Sequence, residues 1–234
     1  MSGPRFGLVL LDLDGTLLDT RRDLVAGTNH VRESFGLRAL AAREIERLVG
    51  HGAPALVERA LGAERRELHD EGLRRLLEHY GSHCLDHTRA YAGMVEALDA
   101  LAALGVRFAV LTNKPQALSR RILDGLGLSR RMIAIVGGDT FAERKPHPRG
   151  VEYLREVGGA ERAASLMVGD SRVDVETARA AGIAVCGVRW GLDPEGLEAA
   201  GPDFLASDAA DLERVVRGVE PAARTLNGSG PPRP

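Results

Sequence analysis

The chain has 234 residues, 44% of them hydrophobic and 27% charged, and a formal net charge of -2. That length supports one large domain, or a core domain with a small satellite, and the near-balanced charge gives no basic field for nucleic acid or a membrane surface, which points to a small-molecule partner. Cys84 and Cys186 lie far apart without ligand-like spacing and read as reduced thiols of a cytoplasmic protein, and no stretch reaches the roughly 18 apolar residues of a membrane span.

The first apolar run, Phe6 to Leu11, predicts a buried strand that ends in Asp12-Leu13-Asp14-Gly15-Thr16. Two carboxylates on alternate residues, followed by a turn glycine, therefore fall at a strand's C-terminal end, where open α/β sheets place their ligand crevices. Carboxylates about 4 Å apart repel by roughly 4 kcal/mol at an effective dielectric of 20, a cost that a bound cation or a retained proton removes. The plain alternative is a solvated turn or half a calcium loop, but the chain has no calcium-loop acidic repeat.

From 20 to 88 the periodicity is helical. Leu24, Thr28, Val31 and Phe35 share one face before Gly36; Ile45, Leu48 and Val49 precede Gly50; Leu56, Val57, Ala60 and Leu61 precede Gly62; a fourth stripe carries Leu73, Leu76, Leu77, Tyr80 and Cys84. This stretch reads as an inserted cap. After Tyr91 helix-then-strand units follow one another: the stripe Val95 to Leu104, the strand Val106 to Leu111, a helix opened by Pro115, the strand Met132 to Val136, a helix through Val151 and Leu154, the strand Ser165 to Val168, a helix Val173 to Ala181 and the strand Ile183 to Val188. Alternation of this kind predicts an α/β fold, a doubly wound parallel sheet formed by 1–19 and 89–219 with the helical cap 20–88 inserted. Residues 220–234, rich in Pro, Gly and Ser, predict a disordered tail.

Reactive groups follow four of these strands. Asp12 and Asp14 follow the first, Thr112 and Asn113 the second, Lys145 lies in the loop beyond the third, and Asp170 and Asp174 follow the fourth. Singly, each has an ordinary reading as a helix cap, a solvated lysine or a turn. Together, Asp12-Leu13-Asp14-Gly15-Thr16, Leu111-Thr112-Asn113, Lys145-Pro146 and Gly169-Asp170-Ser171-Arg172-Val173-Asp174 resemble the four motifs of the haloacid dehalogenase superfamily, from about Phe6 to Leu205, and the insertion corresponds to that superfamily's helical cap of the first type. Within it the chain is most similar to phosphoglycolate phosphatases, on Val49-Gly50-His51-Gly52, Glu58-Arg59-Ala60-Leu61, Thr112-Asn113-Lys114-Pro115, Gly137-Gly138-Asp139 and Lys145-Pro146-His147-Pro148. It departs from them at Arg22 and Ala92, where relatives often carry Pro, and in lacking a Pro soon after Pro148.

The resemblance implies a Mg²⁺-dependent phosphatase acting on a small phosphorylated metabolite, 2-phosphoglycolate first, as a monomer or homodimer. Asp12 would be the nucleophile and, with Asp170, Asp174 and the Asp14 backbone carbonyl, a metal ligand. Asp14, crowded by other carboxylates, would keep a proton for the leaving oxygen and then serve as base. Lys145 would neutralise the reacting oxygens, while the Thr112 hydroxyl and amides near Asp14 and Asn113 hold the rest, with Thr16 beside them. In the cap, Gly50-His51-Gly52 would face the core and help select the leaving group, and Arg59 would contact a carboxylate. For His51 and Arg59 a simple loop residue and an exposed helix arginine stand as alternatives. Lys114 reads either as a substrate contact or as a solvated residue at a helix start. Two rival functions share the same core: a phosphoglucomutase-like isomerase, and a phosphate-sensing module without turnover.

Overall fold

The computed structural model describes residues 3–219; the predicted tail 220–234 lies outside the described residues. The chain runs β1 (Leu8–Leu11), β2 (Leu18–Asp19), α1 (Arg21–Ser34), α2 (Ala42–Glu46), α3 (Ala53–Leu61), α4 (His69–His83), β3 (Arg89–Ala90), α5 (Met94–Ala102), β4 (Arg107–Leu111), α6 (Gln116–Gly125), β5 (Met132–Val136), α7 (Arg149–Gly158), β6 (Ser165–Gly169), α8 (Arg172–Ala181), β7 (Ala184–Val188), α9 (Pro194–Ala200), β8 (Phe204–Ala206) and α10 (Ala209–Arg217).

Six strands form one parallel sheet in the order β5-β4-β1-β6-β7-β8. Its centre is β1, with Leu10 opposite both Ala109 and Met167. Successive side chains of a strand point to opposite faces, and the two faces of this sheet carry two separate cores. Val9 and Leu11 join Phe108, Val110, Leu166 and Val168 on one side, and Leu8 and Leu10 join Ala109, Leu111 and Met167 on the other. Burial on both faces is why these runs are apolar without alternation. The sheet matches the predicted fold class, and the first of these cores continues without a break into the helical insertion through Leu24, Val31, Ile45, Leu56, Leu76 and Tyr80.

The insertion leaves and rejoins the sheet at one place. There β2 and β3 pair antiparallel, Leu18 with Ala90 and Asp19 with Arg89. Beside them the buried Asp23 carboxylate accepts from the backbone N–H groups of His87 and Thr88 and from the Thr88 hydroxyl. This ribbon, together with β8, α9 and α10, was not predicted. The second cap helix is also shorter than its apolar stripe suggested, ending at Glu46 so that Leu48 and Val49 fall in the following turn. Among the described residues, no helix is long and apolar enough to cross a membrane.

Candidate active site

All four motifs meet at the C-terminal edge of the sheet. Asp12 extends β1 by one further ladder bond, its N–H donating to the Val168 carbonyl at 2.9 Å. Asp12 Oδ1 accepts from the Leu13 N–H at 2.7 Å and lies 3.0 Å from Lys145 Nζ. The same ammonium lies 2.7 Å from Asp174 Oδ1. Asp174 sits in the first turn of α8, where its other oxygen accepts from the Ser171 N–H and hydroxyl at 3.1 and 2.6 Å. Asp170 directly follows β6; Oδ2 accepts from the Leu192 N–H at 2.6 Å and Oδ1 from the Thr16 hydroxyl at 3.2 Å.

Glycines make this crowding possible. A Cβ on Gly169 would overlap the Asp174 carboxyl, and one on Gly15 or Gly191 would overlap Asp170; Gly15 also has φ +82°. The result is a buried triad: Asp12, Asp170 and Asp174 each place an oxygen within 4.8 Å of the others. One lysine cannot compensate three acids. Burial pushes Asp12 up to about 6 even though Lys145 pulls the other way, and burial followed by Asp174 and Asp12 raises Asp170 well above the usual carboxylate range. Lys145 is held above its ordinary value: burial works against its charge, but Asp12 and Asp174 outweigh it. A site with hard oxygen donors and an excess of negative charge fits a small divalent cation such as Mg²⁺.

Asp14 belongs to a different group of contacts. Its two oxygens lie 2.8 and 3.0 Å from Lys114 Nζ, and Oδ1 also accepts from the Thr20 hydroxyl at 2.7 Å. Lys114 donates in addition to Tyr80 Oη at 3.1 Å and stands 4.5 Å from the centre of that ring. The expectation that neighbouring carboxylates keep a proton on Asp14 is corrected in one respect: a lysine ammonium is in direct contact with both of its oxygens. The residue beyond Asn113 folds back under the cap, and its ammonium fills the space next to the acid. Lys114 is buried, which removes the reading of it as a solvated helix-start residue.

Above the acids, a cavity of about 210 Å³ separates core from cap. Asp12, Asp14, Thr112, Asn113, Lys114 and Asp170 form its polar floor; Gly50, His51 and Gly52 line it from the cap, with Leu24, Val49, Leu56 and Leu76 among its apolar walls. The cap loop touches the core directly, since Asn113 Nδ2 donates to both the Gly50 and the Lys145 carbonyls at 3.0 Å. A Cβ on Gly52, at φ +89°, would stand 2.9 Å from the Asn113 carbonyl oxygen.

The sequence model of the haloacid dehalogenase-like hydrolases matches residues 9–188 of the chain. The chain belongs to this family. Among its relatives, a phosphoglycolate phosphatase of Mesorhizobium japonicum is 38% identical over 216 residues, covering 90% of this chain and 95% of its own. Another, from Agrobacterium fabrum, is 38% identical over 215 residues, covering 90% and 92%. A crystal structure from Haemophilus somnus 129pt, described as a predicted phosphoglycolate phosphatase, superposes with a TM-score of 0.85 at 31% identity, covering 90% of this chain and 98% of its own. By class the hydrolase is an enzyme acting on phosphoric monoesters.

Not every residue singled out from sequence reaches the cavity of this hydrolase. Thr16 lies behind Asp170, its hydroxyl bonded to that carboxylate and its carbonyl accepting from Trp190 Nε1 at 3.1 Å. Arg59 is exposed on α3, whose buried face is Leu56, Val57, Ala60 and Leu61, and it does not line the cavity. Sequence reasoning missed Tyr80, taken as core packing because it continues a helical stripe, and Thr20. It also missed the Leu192 N–H that orients Asp170. The first two had a signal: a tyrosine is the polar-tipped member of its stripe, and Thr20 stands within one turn of the acidic loop. A backbone donor from a loop has none.

Proposed function

We propose that this hydrolase is a Mg²⁺-dependent phosphatase of small phosphate monoesters, 2-phosphoglycolate first, acting through an aspartyl phosphate on Asp12. The observation that carries the reading is the buried triad with Lys145 against Asp12, two of whose acids, Asp12 and Asp170, line the cavity between core and insertion. The names of the relatives support the substrate.

Asp12, Asp170 and Asp174, with the Asp14 backbone carbonyl, are the residues that would hold Mg²⁺, which when bound supplies positive charge between an anionic nucleophile and a phosphate dianion. Lys145 fixes one Asp12 oxygen and neutralises it, leaving the other to attack phosphorus as the ester bond breaks. Asp14, whose oxygens lie against Lys114, takes up a proton from solvent before the cap closes and gives it to the departing oxygen. Water then attacks the phosphorus of the aspartyl phosphate, Asp14 takes the water's proton, and Asp12 is regenerated as phosphate leaves. The Thr112 hydroxyl and nearby backbone amides hold the phosphoryl oxygens. Residues 20–88 serve as a cap that excludes bulk water during the first transfer and admits it for the second.

The test is phosphate release by the purified chain from a panel of monoesters with Mg²⁺. Asp12→Asn is expected to lower turnover by on the order of 10³-fold or more while circular dichroism stays native. A chain that releases phosphate from no member of the panel, or an Asp12→Asn variant of normal rate, overturns the reading.

A further inference from the structure

A leaving group that carries a carboxylate needs a cation of its own, distinct from the one that faces phosphorus. Lys145 is committed to Asp12 and Asp174. Arg47, His51 and Arg172 stand exposed around the cavity, and Arg172 has Glu176 at 3.8 Å. Lys114 is different: it lines the cavity, is 6% exposed, and touches none of the triad.

We propose that Lys114 is the specificity-determining residue that binds the carboxylate of the substrate's leaving group, aimed by Tyr80 of the cap. The inference rests on the phosphatase reading and names the group that reading leaves unassigned. In a 2-phosphocarboxylate the carboxyl carbon is bonded to the carbon bearing the ester oxygen, so the carboxylate lies one carbon from the oxygen that Asp14 protonates. A cation in contact with Asp14, as Lys114 Nζ is at 2.8 Å, reaches that neighbouring group as well. An ammonium has three N–H donors, and Lys114 directs them at Asp14 Oδ1, Asp14 Oδ2 and Tyr80 Oη; an incoming carboxylate takes over the donor that reaches Asp14 Oδ2, the longer of the two Asp14 contacts at 3.0 Å, while Oδ1 keeps its bond at 2.8 Å. The apolar residues that line the same cavity, Leu24, Leu56 and Leu76 among them, offer a carboxylate nothing to bond and lower the dielectric there, which strengthens the lysine's attraction. Tyr80 sits on α4 of the insertion and Asp14 on the core, so one of the two groups that aim the ammonium is in place only while that helix lies over the core. Selection of the carboxylate and closure are thereby linked through one side chain.

The experiment compares kcat/KM for 2-phosphoglycolate with that for ethyl phosphate, which keeps the ester and replaces the carboxylate by methyl, in wild type, Lys114→Met, Lys114→Arg and Tyr80→Phe. Any effect of the substitution on Asp14 strikes both substrates and cancels in their ratio. The wild-type ratio is expected to favour phosphoglycolate, to fall by at least about tenfold in Lys114→Met, and to recover in part in Lys114→Arg. Tyr80→Phe keeps the ring and removes the hydroxyl; it is expected to lower the ratio by raising KM for phosphoglycolate, and it carries the test if Lys114→Met does not fold. Equal losses on both substrates, or a Tyr80→Phe ratio that does not move, overturn the proposal. A wild type that hydrolyses both substrates equally well overturns it too and leaves the phosphatase reading standing, whereas release from neither substrate and from no panel member removes that reading itself.

Discussion

The Asp23 carboxylate is the most thoroughly bonded acid of the insertion, and its worth is measurable apart from chemistry. It is buried and accepts from two backbone N–H groups and a hydroxyl at 2.7 to 3.0 Å, all from the segment that returns to the sheet. Removing it leaves the Thr88 N–H buried without an acceptor, which costs about 2–3 kcal/mol. Asp23→Ala is thus expected to lower the urea midpoint with an unchanged slope. Arg74→Ala, by contrast, breaks contacts to Glu71 and Glu78 on an exposed helix face and is expected to leave the midpoint where it is. At this scale the sequence was legible wherever a residue type has one chemistry: Asp12, Lys145, Asp170 and Asp174 converge as their strand ends required. It was not legible for Lys114 and Thr16, because a buried lysine and a buried threonine look like solvated ones until the partner is known. Asp14 and Tyr80 are 100 and 34 positions from Lys114, and no local pattern reports them.

Secondary structure was readable in proportion to length. α1, α3, α4 and α6 show several turns of apolar periodicity, whereas β2, β3 and β8 hold two or three residues each, too few for any period to register. α9 and α10 did carry a mark, since Asp193 and Asp208 cap them by accepting from the Gly196 and Asp211 N–H groups at 3.0 and 2.8 Å. What joins elements into a site is the contact between the Gly50-His51-Gly52 loop and the end of β4. Gly52 has φ +89° and lies so close to the Asn113 carbonyl that a methyl group there forces the loop outward. Gly52→Ala is expected to lower kcat/KM about tenfold, mostly through KM, because the cap closes less well over bound substrate. Steady-state kinetics on phosphoglycolate check it; a change confined to kcat would place the loop's role in the chemical step instead.

For the whole molecule, folding concentrates three carboxylates around a single ammonium, and the sheet's hydrophobic layers hold them there. In metal-free protein this opposes folding. Asp12, raised by burial to about 6, and Asp170, raised well above the usual carboxylate range, bind protons more tightly in the folded chain than in the unfolded one. Stability contributed by such groups is present below their unfolded values near 4 and is lost as pH rises through the folded ones, because the unfolded chain ionises freely where the folded chain resists. A divalent ion held by the same oxygens competes with those protons. Its stabilising effect should then be small near pH 5 and large near pH 7.5. At a hundred times its dissociation constant a ligand contributes about 2.7 kcal/mol, which for a chain of this size corresponds to roughly 5–10 °C in Tm. Thermal unfolding in EDTA and in Mg²⁺ at the two pH values checks this. Asp170→Asn is expected to raise Tm in EDTA and to erase most of the Mg²⁺ response at pH 7.5. A Mg²⁺ shift that is equal at both pH values, or that survives in Asp170→Asn, would mean that the ion is held by other residues than the buried triad.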